Sequence, residues 1–379
     1  MKYSLLFTFL FSIVFFENTF SQEKNLDNII LKVIQNNGLK FLKNKNINSV
    51  SIGIYKDNQF YTEHFGEIEK GKGIPPNDET IYEIGSVTKT VTGYLAANAT
   101  LEGIIKLEDD IRLYLKGNYS NLEYNGKPIT IENLLTHTSG LPMFLPLKMN
   151  GVFEKLNEST PENYLEIEKS YDKEKFLEDL KTISITTEPG TNYAYSNVGA
   201  ELMGYILETV YKKNIDDLLK EGFYSKYKML NTGIKLDSIQ KEKLVRGYWM
   251  DNEVQSPNQF NSLWGTAGGM KMTIMDMLRY TKLQLNSKNQ IISESHKALF
   301  EVRSPLQIAY YWRIWEDVHG TSYNHHGGTS GTQNWVYIFP KYNLGISIMT
   351  NQSGPKTPNL LSKTVNKILK ELTKKYKAE

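Results

Sequence analysis

The stretch YEIGSVTKT (82–90) sets Ser86 three residues ahead of Lys89, behind an apolar lead-in (Ile81 to Ile84) and Gly85. It runs on into a helix-like segment that carries Val87, Val91, Tyr94 and Leu95. Three residues is about one helical turn, so the two side chains share a face. In one reading Ser86 is a nucleophile. The first amides of a helix lack intrahelical acceptors, the positive end of the dipole favours developing negative charge, and a lysine enclosed by protein loses solvation until it can take a proton. In the other, Ser86 is a helix N-cap and Lys89 is solvated. Spacing alone does not choose, because the chain holds six S-x-x-K examples, beginning at Ser21, Ser86, Ser170, Ser225, Ser238 and Ser353. Only the one at Ser86 joins a strand-like lead-in to a helix.

Outward from this stretch the hydrophobic period changes twice. A helical stripe (Ile29, Ile30, Val33, Ile34) precedes VSIGIY, where Val50, Ile52 and Ile54 share one face. Asp57-Asn58 then turns the chain into QFYTEHFG, which predicts a β-hairpin. NWVYIFP and LGISIMTN repeat this pattern near the other end, and a last helix carries Leu361, Val365, Ile368 and Leu372 on one stripe. Between them helical periodicity dominates, as in GAELMGYILETVYKK and YDKEKFLEDLKTI. Strands at both ends with helices between predict an α/β (α+β) protein, an antiparallel sheet flanked by helices with an inserted helical domain. The expected division is 22–90 plus 242–379 for the α/β part and 91–241 for the mainly helical part.

Composition narrows the function. With 379 residues, 40% of them hydrophobic, the chain can bury a large core. Lys plus Arg number 44 against 42 Asp plus Glu, a balance with no footprint for nucleic acid. The absence of cysteine excludes thiolate zinc sites, disulfides, a cysteine nucleophile and a lipid-modified cysteine, and the six histidines show no familiar ligand spacing. No cofactor and no metal are expected. Residues 1–21 combine Lys2, an apolar run from Leu5 to Phe16 and the small residues Thr19 and Ser21, which reads as a cleavable signal peptide. The alternative, a membrane anchor, meets a run of about 12 residues where roughly 20 span a bilayer. The expected location is periplasmic or secreted, with no membrane anchor after cleavage.

Two further stretches carry polar chemistry. In EPGTNYAYSNVGAELMGYILE, Tyr195-Ser196-Asn197 precedes an amphipathic helix. A tyrosine hydroxyl can relay protons and an asparagine amide can hold a carbonyl or a lysine, although Asn197 also suits an N-cap. Tyr119-Ser120-Asn121 has the same order inside a polar loop and reads as a turn. In NHHGGTSGTQNWVYIFP, His325-His326-Gly327-Gly328 leads into a strand. Glycines there let backbone approach a ligand, and the Gly328 N–H can form half of an oxyanion hole with that of Ser86. A glycine-rich hairpin start with surface histidines fits equally.

Together, Ser86-x-x-Lys89, Tyr195-x-Asn197 and His325-x-Gly327, in this order, resemble the serine hydrolases of the class C β-lactamase and penicillin-binding-protein family. ITIENLLTHTSGLP (129–142), EPGTNYAYSN (188–197) and WGTAGGMKMTIMDMLRY (264–280) are similar to that family as well. The resemblance implies a β-lactamase/transpeptidase-like fold with the active site between its two parts. It also implies acyl transfer, with Ser86 as nucleophile, Lys89 as base, Tyr195 as proton relay, Asn197 as a polar contact, and the Ser86 and Gly328 amides as oxyanion hole. The partner it implies is a small molecule or peptide with a carbonyl acyl group.

The departures bear on substrate. Where many members have Lys-Thr-Gly, this chain has His325-His326-Gly327, with His326-Gly327-Gly328 as a shifted register. A histidine of ordinary pKa near 6.5 is mostly neutral at pH 7, so carboxylate recognition is less assured than with lysine. An imidazolium at His325 would make KM for an anionic substrate rise from pH 5.5 to 8. Phe144 stands where the class C enzymes tend to place a glutamine, which implies a more apolar pocket. These features are similar to esterase-type and D-amino-acid-peptidase-type members, leaving esterase, D,D-peptidase or D-aminopeptidase, β-lactamase and a non-catalytic binding protein as readings. The segment 146–187, rich in Glu and Lys, reads as a helical cap over the cleft or as a solvated face.

Overall fold

The computed structural model describes residues 26–44, 46–250, 254–259 and 263–375. The signal-peptide reading of 1–21, and the S-x-x-K at Ser21, lie outside them. An eight-stranded antiparallel sheet runs in the order Gln59–Gly66, Ser49–Lys56, Leu344–Thr350, Gln333–Phe339, Gly320–Gly328, Arg313–Asp317, Leu306–Ile308 and Phe300–Arg303. The first hairpin turns at Asp57-Asn58, both at positive φ (47° and 69°), the geometry whose twist matches that of the flanking strands. The strands Ser49–Lys56 and Leu344–Thr350 pair with each other, so the two ends of the chain meet as the second and third strands of the sheet.

Helices cover both faces there. Val50, Ile52 and Ile54 share a core with Ile30, Val33 and Ile34 of helix 26–42 and with Leu361, Val365, Ile368 and Leu372 of helix Thr357–Lys375. The opposite face carries helix Ile274–Gln284, whose Ile274 and Leu278 side chains reach Gly53. This two-sided burial explains why the strand Leu344–Thr350 is buried at every position and reads as a continuous apolar run.

The middle of the chain supplies helices, among them Thr88–Leu101, Lys148–Glu154, Thr160–Lys169, Lys173–Leu180 and Asn197–Tyr211. One apolar cluster runs from Val91, Leu202 and Ile206 in these helices through Trp264 and Met272 to Trp312 and Val336 of the sheet region. Burying an aliphatic side chain there contributes about 1.5–3 kcal/mol. Among the described residues no helix is long and apolar enough to cross a membrane.

Candidate active site

The short strand Ile81–Glu83, antiparallel to Lys271–Thr273, delivers the chain to Gly85. Gly85 takes φ +49°, and a single 3-10 turn, Gly85–Val87, opens into helix Thr88–Leu101. That helix is buried on nearly every side, which its small and β-branched residues permit. Lys89 is therefore wholly enclosed, at 0% exposure. Its Nζ donates to Asn197 Oδ1 at 2.6 Å and to the Ala267 carbonyl at 2.5 Å, and lies 3.2 Å from Ser86 Oγ and 4.8 Å from the Tyr195 ring centre. Burial holds its pKa well below that of an ordinary ammonium, against the weaker opposite pull of Glu201. The cap reading of this stretch does not hold: no side chain caps the turn or the helix, and the lysine is not solvated. The lysines of the spacings that begin at Ser170, Ser225, Ser238 and Ser353 are all exposed.

Ser196, not Asn197, caps helix Asn197–Tyr211, its hydroxyl accepting the Gly199 N–H at 2.9 Å. This corrects the capping alternative for Asn197 and leaves its amide free to receive Lys89. The Tyr195 hydroxyl hydrogen-bonds with Ser86, and burial raises its pKa above the usual phenol value, so it is protonated. His137 lies beside the Tyr195 ring, centroids 4.4 Å apart. It accepts the Ser196 N–H at Nδ1 (3.3 Å), and burial lowers its pKa well below the ordinary histidine value. The other Tyr-Ser-Asn is structural: Asn121 Nδ2 donates to the Leu180 and Ile183 carbonyls at 2.8 and 3.0 Å, tying its loop to helix Lys173–Leu180.

The strand Gly320–Gly328 presses its end against the Ser86 turn. A Cβ at position 327 would sit 1.8 Å from the Ile84 carbonyl oxygen, and one on Gly85 would sit 2.5 Å from the Gly328 nitrogen. The obligatory glycine is thus Gly327, which favours the register His325-x-Gly327 over the shifted one. It also brings the Gly328 amide to within one residue of Ser86. His325 is buried, and its Nδ1 donates to the His326 carbonyl at 2.7 Å. Burial, with Arg313 and Lys89 nearby, keeps it well below the ordinary histidine range, and the same burial pushes His326 down to about 4. The same burial speaks against an imidazolium at His325 as the group that meets an anionic substrate.

The cation of the pocket is a residue that sequence reasoning missed. Arg313 opens the strand Arg313–Asp317 opposite Asn324, lines the pocket half-buried, and has no hydrogen bond or ion pair among the described residues. Its one sequence signal is a charge set inside an aromatic run, YYWRIW (310–315). Phe144 forms the opposite, apolar wall, stacked on Phe153 at 4.9 Å and edge-on to Trp264 at 5.8 Å. Phe153, Leu156 and Tyr164 come from 146–187, and Trp249 Nε1 fastens that segment by donating to the Asn157 carbonyl at 2.7 Å. The segment therefore builds part of the cleft. Ser86, Tyr195, Asn197, His325, Gly328, Phe144 and Arg313 all border one cavity of about 370 Å³. A larger cavity of about 1190 Å³, beside helix Asn197–Tyr211, is lined by Glu201 and Glu208 and by none of these residues. Among the described residues no group of three or more His, Asp or Glu side chains is placed to hold a metal ion.

The family model for Beta-lactamase matches residues 35–368. The chain belongs to the Beta-lactamase family. Among curated relatives it is 27% identical over 336 residues to protein flp of Staphylococcus aureus (strain MRSA252), covering 84% of this chain and 62% of that protein. It is also 27% identical over 248 residues to a beta-lactamase of Providencia stuartii, covering 65% of this chain and 58% of that protein. The chain thus spans about 62% of the length of the flp relatives it matches. The fold is shared with the crystal structure of a beta-lactamase/D-alanine carboxypeptidase from Yersinia pestis complexed with citrate. The TM-score is 0.76 at 20% identity, with 91% of this chain and 99% of that chain covered.

Proposed function

We propose that this protein is an exported serine hydrolase that cleaves an ester or amide through an acyl-enzyme on Ser86. The observation that carries the reading is Lys89 Nζ, wholly buried, depressed in pKa and 3.2 Å from Ser86 Oγ. A neutral Lys89 takes the Ser86 proton as Oγ bonds to the substrate carbonyl carbon, and the Ser86 and Gly328 amides hold the oxyanion. The intermediate collapses, its bond to the leaving group breaks, and the leaving group takes a proton through the Tyr195 hydroxyl and Lys89. Water then attacks the acyl carbon and loses its proton to the same pair, the acyl–Oγ bond breaks to release the acid, and Ser86 Oγ takes that proton back. Export rests on residues 1–21 alone.

Arg313 favours a second, narrower reading: a substrate bearing a carboxylate, as D-alanyl peptides do. A guanidinium in a pocket with no carboxylate partner among the described residues suits an anionic ligand group, and a charge-assisted hydrogen bond is worth about 1.5–3 kcal/mol. The Yersinia pestis protein, described as a D-alanine carboxypeptidase and bound to citrate, lends support. Arg313→Gln is expected to raise KM for an acyl-D-alanyl-D-alanine roughly 10-fold or more, while KM for a neutral ester stays put. If Arg313 rather than His325 holds the carboxylate, the parent's KM for that substrate should be flat from pH 5.5 to 8, since burial lowers the pKa of both histidines. Equal effects of the substitution on both substrates would remove the carboxylate reading and leave the ester or amide hydrolase.

A further inference from the structure

The amides of Ser86 and Gly328 belong to different segments of chain, so their separation depends on what ties the strand Ile81–Glu83 to the strand Gly320–Gly328. The tie is the carboxylate of Glu83, 1% exposed. Its Oε1 accepts the Gln259 N–H at 2.6 Å and its Oε2 accepts the Thr329 hydroxyl at 2.8 Å. Thr329 follows Gly328 directly. Its Oγ accepts the N–H groups of Gly331 at 3.2 Å and Thr332 at 3.1 Å, so its own proton is left for Glu83. The backbone is stitched in parallel: Thr332 Oγ donates to the Glu83 carbonyl at 2.7 Å, and Asn334 Nδ2 to the Ile84 carbonyl at 3.0 Å. Lys271, opposite Glu83 in the paired strand, is buried beside the carboxylate, and its Nζ is held by the Ile234 carbonyl at 3.0 Å.

We propose that Glu83 is a positioning residue for the oxyanion site: through Thr329 it sets where the Gly328 amide stands relative to Ser86. The inference rests on the acyl-enzyme reading above. An oxyanion amide acts on the tetrahedral species and hardly on the bound substrate, so a displaced amide lowers kcat and leaves KM alone. Thr329→Val removes the hydroxyl at nearly constant shape and Thr329→Ser returns it. Glu83→Gln keeps the shape but offers one acceptor oxygen where two are used, and it leaves Lys271 without its charged neighbour.

The test compares kcat and KM for a neutral activated ester with Ki for a boronic acid, whose tetrahedral adduct on Ser86 presents an oxygen to the two amides. Glu83→Gln and Thr329→Val are expected to lower kcat roughly 10- to 100-fold. They should raise the boronate Ki by a similar factor with KM nearly constant, and Thr329→Ser should restore most of both. If Glu83→Gln does not fold, Thr329→Val decides. Folded variants whose kcat and boronate Ki match the parent would overturn the inference. If Ser86→Ala is inactive in the same series, the acyl-enzyme reading survives that loss; if Ser86→Ala is active, the reading itself fails.

Discussion

Ser86→Ala is expected to lower kcat for an activated ester by roughly 10⁴-fold or more, the scale seen when a nucleophile acting as a unit with its base is removed. Few other effects on the protein should follow. Ser86 Oγ meets Lys89 and Tyr195, and when it is gone Lys89 keeps Asn197 Oδ1 and the Ala267 carbonyl as acceptors. The Tyr195 hydroxyl loses its Ser86 partner but borders the cavity, so the change in stability should stay within about 1 kcal/mol. Parallel thermal melts and steady-state kinetics on the purified variant separate the two effects. A residual rate near the parent's would transfer the nucleophile role to another residue.

The second large effect concerns the base. Lys89→Arg places a fixed cation there and keeps the reach toward Asn197, but a guanidinium does not give up its proton in a protein. If Lys89 acts as a neutral base, the variant should lose roughly 10³-fold or more in kcat, within the 10²–10⁴ range of general-base contributions and the added cost of a misfitted side chain. If Lys89 were a fixed positive charge that holds an oxyanion, arginine would preserve much of the rate. The parent's pH profile gives the independent reading. Burial favours the neutral amine, so if Lys89 is the base, kcat/KM must fall as pH drops through its depressed pKa and Lys89 protonates. Activity should therefore rise with pH from the acid side to a plateau. A profile that declines over the same span would contradict a neutral Lys89. Lys89→Gln, smaller and uncharged, controls for the bulk of arginine.

Local signals carried the fold because they are local in origin. Val50, Ile52 and Ile54 alternate, Asp57-Asn58 tolerate positive φ, and the paired hairpins at the two chain ends then meet through Ser49–Lys56 and Leu344–Thr350. The site was legible where a residue's neighbours in sequence are also its neighbours in space, as with Gly85, Ser86 and Lys89. It was not legible where tertiary burial decides chemistry. His325 looks titratable in a string of letters, yet the fold buries it and lowers its pKa. Arg313 has no motif, and its importance arises because a strand far from Ser86 in sequence brings it to the same cavity. Asn197 and Ser196 are adjacent and both fit an N-cap; only the fold shows that the serine caps and the asparagine faces the lysine. Glu83 stands one turn before the nucleophile, but nothing local reveals that Thr329 is its partner.

The central claim is that a covalent acyl group passes through Ser86. The direct measurement is mass spectrometry of the protein quenched during turnover of a slowly hydrolysed ester, followed by peptide mapping. A mass increase equal to the acyl group, located on the peptide that contains Ser86 and missing from Ser86→Ala, is the result expected. Turnover by the parent with no adduct, or an adduct of equal yield in Ser86→Ala, would contradict it.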